Sequence, residues 1–325
     1  MIVPQFWAEA QSQGSQGNKT ITVRRFGWSD NSQEEAQANA EQRSIEALNQ
    51  ILSGKNLERR ERKAPYNGST GVPIREEVIS RHGDTVISRN SYGAHCLNTP
   101  DVCFIDIDYP DSPPAGYLFK TIVVLQLLAA FTAYMISSNI VWLGLAISSL
   151  LFSYTFATLA FQIVLKFKGG VEQILIQRID DFLLEHPLWN LRIYQTPAGM
   201  RLLVTHRTFD VNDPEIQASF KALGADPMYA RMCRNQQCFR ARVSPKPWRI
   251  GITDHMRPRP GTWPVEPDRL PQRNAWITQY EAAAVNFASC KFIQNKGSGA
   301  IHLNVEPVMA LHDQLAKACT NLRIA

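Results

Sequence analysis

Charge is missing altogether from Thr121 to Leu165. A soluble pair of helices would show a polar stripe on each helix, and none is visible in this run. Cysteine is scarce too, with six residues scattered through a chain of 325. There is no dense cysteine framework and no secretory signal at Met1. A disulfide-stapled secreted scaffold is therefore excluded, and the thiols are expected to be reduced in the cytosol. Cys233 and Cys238 stand further apart than most zinc-binding pairs, and His95, Cys96 and Cys103 lie elsewhere, so buried inert thiols are expected. The glycine-bearing loop Y-N-G-S-T-G (Tyr66 to Gly71) lacks the lysine that completes a phosphate-binding Walker loop. No internal repeat is visible, and the C-terminal His302 and His312 have no ligand spacing.

What is present is a folded-protein composition, 45% hydrophobic and 10% aromatic, with a net charge of +5. The chain is organised around Val102 to Asp108, V-C-F-I-D-I-D. An apolar run of this kind suits a buried strand, and the period of two puts Asp106 and Asp108 on one face. Neighbouring carboxylates repel unless a cation lies between them, and Mg²⁺ or Mn²⁺ is the usual occupant. The competing reading is a strand end whose aspartates cap the turn before Pro110.

The uncharged run that follows is long enough for two spans, at about 20 residues each. Ser137-Ser138-Asn139 is the natural turn. Lys120 flanks one end, and Lys166 and Lys168 the other, which places both ends in the cytosol. On the N-terminal side, Ile21 to Gly27 reads as a strand and Gln11 to Lys19 as a flexible connector. A helix capped by Ser32 with Glu35 carries Ala36, Ala40, Ala47, Leu48, Ile51 and Leu52 on one face. Pro73 suits a short helix ending at Gly83, Thr85 to Arg89 a strand, and Asn90 to Pro100 a loop. Beyond the hairpin, Val171 to Leu183 is helical, and two strands flank the turn Thr196 to Gly199. A helix opens at Asn212-Asp213-Pro214, and Cys238 to Val243 and Trp248 to Ile252 read as strands. Proline-rich chain runs from His255 to Gln272. Helices near Ala275 to Asn295 and Pro307 to Thr320 finish the chain.

F-I-D-I-D, followed later by T-P-A-G-M-R-L-L-V-T-H, resembles the first two motifs of the archaeo-eukaryotic primase superfamily. The resemblance implies a ferredoxin-like palm and metal-dependent nucleotidyl or phosphoryl transfer. It makes Asp106, Asp108 and His206 the catalytic set. Asp106 and Asp108 would hold the metal, Asp254 of W-R-I-G-I-T-D would complete the acidic set, and His206 would contact the triphosphate. The whole chain, through V-P-Q-F-W near its start and C-F-R-A-R-V-S-P-K-P-W-R later, also resembles bacterial membrane proteins, a likeness that implies no activity.

From Arg231 to Arg259 the chain is basic. It carries Arg231, Arg234, Arg240, Arg242, Lys246, Arg249, Arg257 and Arg259 against the single acid Asp254, with Tyr229, Phe239 and Trp248 interleaved. Arginine forks suit phosphates and aromatics can stack bases. Anionic lipid is a second partner such a patch could meet beside a bilayer.

The expectation is an α+β fold. A ferredoxin-like, primase-type cytosolic domain is made of residues 1–116 and 169–325, with a transmembrane hairpin inserted at 117–168. The termini and the main domain would be cytosolic. Two functions compete. One is a nucleotide-handling, Mg- or Mn-dependent transferase. The other is a non-catalytic membrane protein whose basic face docks nucleic acid, anionic lipid or an acidic partner. A D-x-D glycosyltransferase would need a nucleotide-binding half before Asp106, which the first hundred residues supply only weakly.

Overall fold

The computed structural model describes residues 3–61, 72–110, 112–137, 139–259 and 261–325. The loop Tyr66 to Gly71 lies outside the described residues. The fold is mixed α+β, with eight α-helices and several sheets among the described residues. The chain divides into two compact units, one of residues 1–107 with 187–325 and one of residues 108–186.

The first unit begins with a hairpin, β1 (Phe6–Gln16) and β2 (Lys19–Ser29), paired along its whole length. The Gln-, Gly- and Ser-rich stretch expected to be a connector is thus most of β1. Its composition is poor for a strand, but pairing with β2 supplies the hydrogen bonds that composition cannot predict. The helix α1 (Gln33–Leu52) opens on the Ser32 hydroxyl, which accepts the Glu35 amide. Its face of Ala47, Leu48, Ile51 and Leu52 packs on Ile21 and Val23. Gly27 makes that approach possible, because a Cβ there would sit 2.2 Å from the Ala40 amide nitrogen.

A second sheet has the order β3-β4-β5-β9, all antiparallel: β3 (Glu77–His82), β4 (Thr85–Arg89), β5 (His95–Thr99) and β9 (Phe239–Arg242). The expected helix from Pro73 to Gly83 is therefore strand β3, and the expected loop from Asn90 holds β5. β3 takes its form from the adjacent hairpin strand β4, and β5 from β9 as well, across more than a hundred residues.

The third sheet has the order β11-β7-β8-β6: β6 (Phe104–Asp108), β7 (Asn190–Thr196), β8 (Gly199–Val204) and β11 (Lys291–Gly297). The Val204 amide donates to the Cys103 carbonyl, and further along the pair Arg201 meets Asp106. One index rises as the other falls, so β6 and β8 run antiparallel. Around the sheets stand α5 (Pro214–Leu223), α6 (Pro227–Gln236), α7 (Leu270–Ala284) and α8 (Glu306–Ala316). The short strands β10 (Phe287–Ala288) and β12 (Arg323–Ile324) pair in parallel. The long helix expected to Asn295 stops at Ala284, because the residues after it are taken into β10 and β11. Trp248 to Ile252 is not a strand, since Pro247 to Arg249 closes a 3₁₀ turn. Helix α6 was not foreseen. Asp226 caps it by accepting the Met228 amide, with Pro227 in its first turn.

The second unit holds α2 (Ala115–Ile136), α3 (Asn139–Phe167) and α4 (Val171–Glu185). The first two are candidate membrane spans, each with a mean hydropathy of 1.8 over its most apolar window. Only 11% and 17% of those windows are buried, unlike the core helices of a soluble protein. Leu127, Phe131, Ile140 and Leu151 stand in the open. Ala129, Ala133, Ala146 and Ala157 are buried, as close packing of membrane helices favours. The Gln126 amide nitrogen donates to the Ala146 carbonyl (3.2 Å) and the Ser149 hydroxyl (2.7 Å), joining the two helices. Ser137 ends α2 in the left-handed conformation. Helix α4 buries Leu175, Ile179 and Phe182 on one face, as its spacing predicts.

Candidate functional site

The expected chemistry centres on Asp106, and the structure gives that carboxylate a partner. Arg201 of β8 grips it with Nε to Oδ1 at 2.7 Å and Nη2 to Oδ2 at 3.1 Å. A guanidinium fork and a carboxylate match in this two-point geometry. Arg201 is fully enclosed, and its Nη1 donates to the Arg242 carbonyl at 2.8 Å. The same Nη1 lies 3.4 Å from His312 Nε2, and His312 Nδ1 lies 3.1 Å from Asp313 Oδ1. Arg201 can only donate, so Nε2 accepts and Nδ1 carries the proton, directed at Asp313. Burial also holds the His312 pKa down, favouring this neutral form.

The network continues across the sheet. Asp313 accepts the Tyr194 hydroxyl at 2.6 Å and two Arg192 nitrogens at 2.5 and 3.1 Å. Tyr194 stands opposite Arg201 in the β7–β8 register, and Arg192 lies two residues away on the same face. Burial opposes the Asp313 charge, but bonds from His312 and Tyr194 outweigh it and lower the pKa. Asp106, Arg201, Arg192, Tyr194, His312 and Asp313 thus form one connected polar layer between the sheet and α8. Two cations and two carboxylates compensate each other in it.

This layer does not fit a divalent ion. Both Asp106 oxygens are engaged by a buried cation, which would also repel a metal. No three His, Cys, Asp or Glu side chains converge on a common point among the described residues. Asp108 is exposed at the end of β6. Asp254 is exposed on a loop where its carbonyl accepts the Trp276 indole N–H at 2.9 Å. The structure does not gather the three aspartates into a metal-binding set.

His206 lies just past the end of β8, five residues from Arg201, on the order of 16 Å along a strand. Its ring stands against Trp189 and Phe209, with centroids 5.0 and 5.5 Å away, and Nδ1 faces the Asn190 amide at 3.4 Å. Burial first, then the charge of Arg207, lowers its pKa to about 4. Near neutrality the imidazole is uncharged, which weakens it as a triphosphate contact.

The basic segment divides. Arg240 is spent inside the fold, with Nη2 2.7 Å from both Glu76 oxygens and Nη1 2.9 Å from Asn98 Oδ1. Ser88 and Asn98 complete that buried cluster through bonds of 2.6 and 2.9 Å. Arg242 is half-buried against the Tyr92 hydroxyl. Arg231 and Arg234 are exposed on α6, and Arg257 and Arg259 are exposed on the loop beyond. Trp248 is 54% exposed at the 3₁₀ turn. Tyr92 meets it edge-on at 5.3 Å, and the Lys246 ammonium lies 5.3 Å from its ring centre. Arg249 is half-buried beside it. The result is an open indole braced by one aromatic and attended by cations, beside the edge strand β9.

Cys96, Cys103, Cys233, Cys238 and Cys290 are buried and unpaired, and only Cys319 is exposed. Burial raises the pKa of Cys103, Cys233 and Cys238, as inert thiols require.

Sequence reasoning passed over Arg201 and His312. Arg201 had a signal: one cation inside the apolar strand G-M-R-L-L-V needs a buried acid, and Asp106 was the acid at hand. His312 had none, because its partners come from β7 and β8. Compared with protein families, with curated proteins and with solved structures, the chain matches none.

Proposed function

We propose that the chain is a membrane-anchored protein that binds nucleic acid, holding a single strand on the segment from Arg231 to Arg259. The observation that carries this reading is Trp248. A large aromatic left half-open in water has a reason when bases can stack on it, and such stacking contributes about 1–3 kcal/mol per base. Tyr92 packs edge-on against it and Lys246 lies over its ring, while Arg242, against Tyr92, and Arg249, next in the chain, add positive charge nearby. Arg231 and Arg234 extend the charge to α6, where a backbone could be followed. In this reading α2 and α3 cross the bilayer. Lys120, Lys166 and Lys168 keep the ends of the hairpin, and with them the termini, on the cytosolic side.

A primase-type palm draws support from β6, β7 and β8, since β8 lies between β6 and β7 as in a split β-α-β unit. The place of β11 weighs against it. It extends the β7 edge, whereas a ferredoxin-like sheet sets its last strand beside the first. The Arg201–Asp106 pair weighs against metal-dependent transfer in the same way.

The test is fluorescence anisotropy of a labelled single-stranded oligonucleotide with the full chain in neutral-lipid nanodiscs. Trp248→Ala should weaken binding about tenfold, by loss of one stacked base. Arg231→Gln with Arg234→Gln should weaken it further, and Asp106→Ala should matter only through stability. Oligonucleotide binding indifferent to Trp248, with Trp248-dependent binding to anionic vesicles, would assign the patch to lipid instead. Mn²⁺-dependent nucleotide binding abolished by Asp106→Ala in a folded variant would restore the transferase.

A further inference from the structure

A cleft of about 220 Å³ lies in the first unit, lined by residues of β5, α7, β10, the end of α8 and the chain just past β9. Its floor is fixed by internal bonds. The Tyr280 hydroxyl donates to the Pro245 carbonyl at 2.7 Å, so the Ser244 hydroxyl, 2.6 Å away, donates to Tyr280. Ser244 in turn accepts the His95 amide at 2.7 Å. These groups are satisfied and hold the wall in place. Three others are not.

His95 Nε2 is buried, makes no hydrogen bond, and stands 3.6 Å from Glu281 Oε1. Burial, with Arg89 nearby, lowers the His95 pKa to about 4, so the ring is neutral. Glu281 uses Oε1 for the Arg89 guanidinium at 2.6 Å, which leaves Oε2 for the cleft. The Lys317 ammonium donates to the Ala284 and Val285 carbonyls at the end of α7. An ammonium has three donors, so one remains. Glu281 and Val285 are four residues apart, about 6 Å along the helix axis. The Glu281 carboxylate and the Lys317 ammonium both line the cleft. Ala284, Phe287, Leu315 and Val243 supply apolar surface around them.

We propose that this cleft binds a small free amino acid as its zwitterion. Glu281 receives the ligand ammonium, Lys317 receives the carboxylate, and the apolar residues cover the side chain. A ligand with one charge would be attracted at one end and repelled at the other. The cleft is open on one side, and its volume of about 220 Å³ accommodates a leucine-sized molecule.

The test is the thermal shift of the full chain in detergent with L-leucine, and with isovalerate and isopentylamine, which each carry one of its charges. Leucine should raise Tm, and the other two should not. Glu281→Gln keeps an acceptor for Arg89 and should weaken leucine about tenfold, by loss of one charge-assisted bond. Leu315→Trp fills the cleft from its half-exposed rim and should abolish the shift while leaving the ligand-free Tm near wild type. Equal shifts from isovalerate or isopentylamine, no shift from leucine at millimolar concentration, or an undiminished shift in Leu315→Trp would each overturn the assignment.

Discussion

Arg201→Met tests the Asp106 layer directly. The methionine fills much of the space of the arginine stem but removes every donor. Four contacts go: two to Asp106, one to the Arg242 carbonyl and one to His312 Nε2. Breaking a buried ion pair from one side costs about 3–5 kcal/mol. The Asp106 side chain is 32% exposed, so water recovers part of its share. The buried carbonyl and imidazole nitrogen recover little, at about 1–3 kcal/mol for an unsatisfied group. A loss of about 3–4 kcal/mol follows. Adding Asp106→Leu to Arg201→Met should restore part of it, since no unpaired charge then remains. Urea unfolding of the first unit, followed by a probe outside the membrane hairpin, gives both numbers. If Arg201→Met costs under about 0.5 kcal/mol, the level of a plain surface substitution, Arg201 does not hold Asp106 in solution. The carboxylate would then be open to a metal.

Further outcomes follow from the same contacts. Arg240→Met should cost about 3–5 kcal/mol by stranding Glu76, whereas a phosphate-binding role would leave stability untouched; thermal unfolding separates the two. The pH dependence has a definite sign. The folded-state pKa of His95 is lowered from 6.5 to about 4, so the unfolded chain takes up the proton first as pH falls. Stability is full above pH 6.5 and drops through the window down to pH 4, by up to about 3 kcal/mol from this residue. His95→Gln should flatten that limb of a stability–pH curve, and an unchanged slope would contradict it. Gln126→Leu should loosen the α2–α3 pair by about 1 kcal/mol, measurable as hairpin separation in detergent, and an unaltered hairpin would show that alanine packing alone holds it.

The elements visible in the sequence were those with local causes. Ser32 and Glu35 announced α1, Asp213-Pro214 opened α5, and the missing charge marked α2 and α3. The misread elements take their form from a partner strand and not from their own composition. β1 looked like a linker because only β2 makes it a strand, and β5 looked like a loop because β9 lies far along the chain. The site followed the same rule. Asp106 and Asp108 were read as a pair with a divalent cation between them, whereas the structure gives Asp106 an organic cation of the chain's own. The cation is the guanidinium of Arg201, ninety-five residues away, which a local D-x-D pattern could not disclose. Arg240 and Arg242 looked alike in the basic segment, but Glu76 claims only the first.

The salt dependence of oligonucleotide binding tests the central reading most directly. For single strands, log K falls with log salt at a slope of about −0.7 for each phosphate neutralised. Replacing Arg231 and Arg234 with glutamine should make the slope shallower by about 1.4, while Trp248→Ala should lower affinity and leave the slope unchanged. Identical slopes for wild type and the double arginine variant, or no measurable binding by the wild type at low salt, would contradict the account.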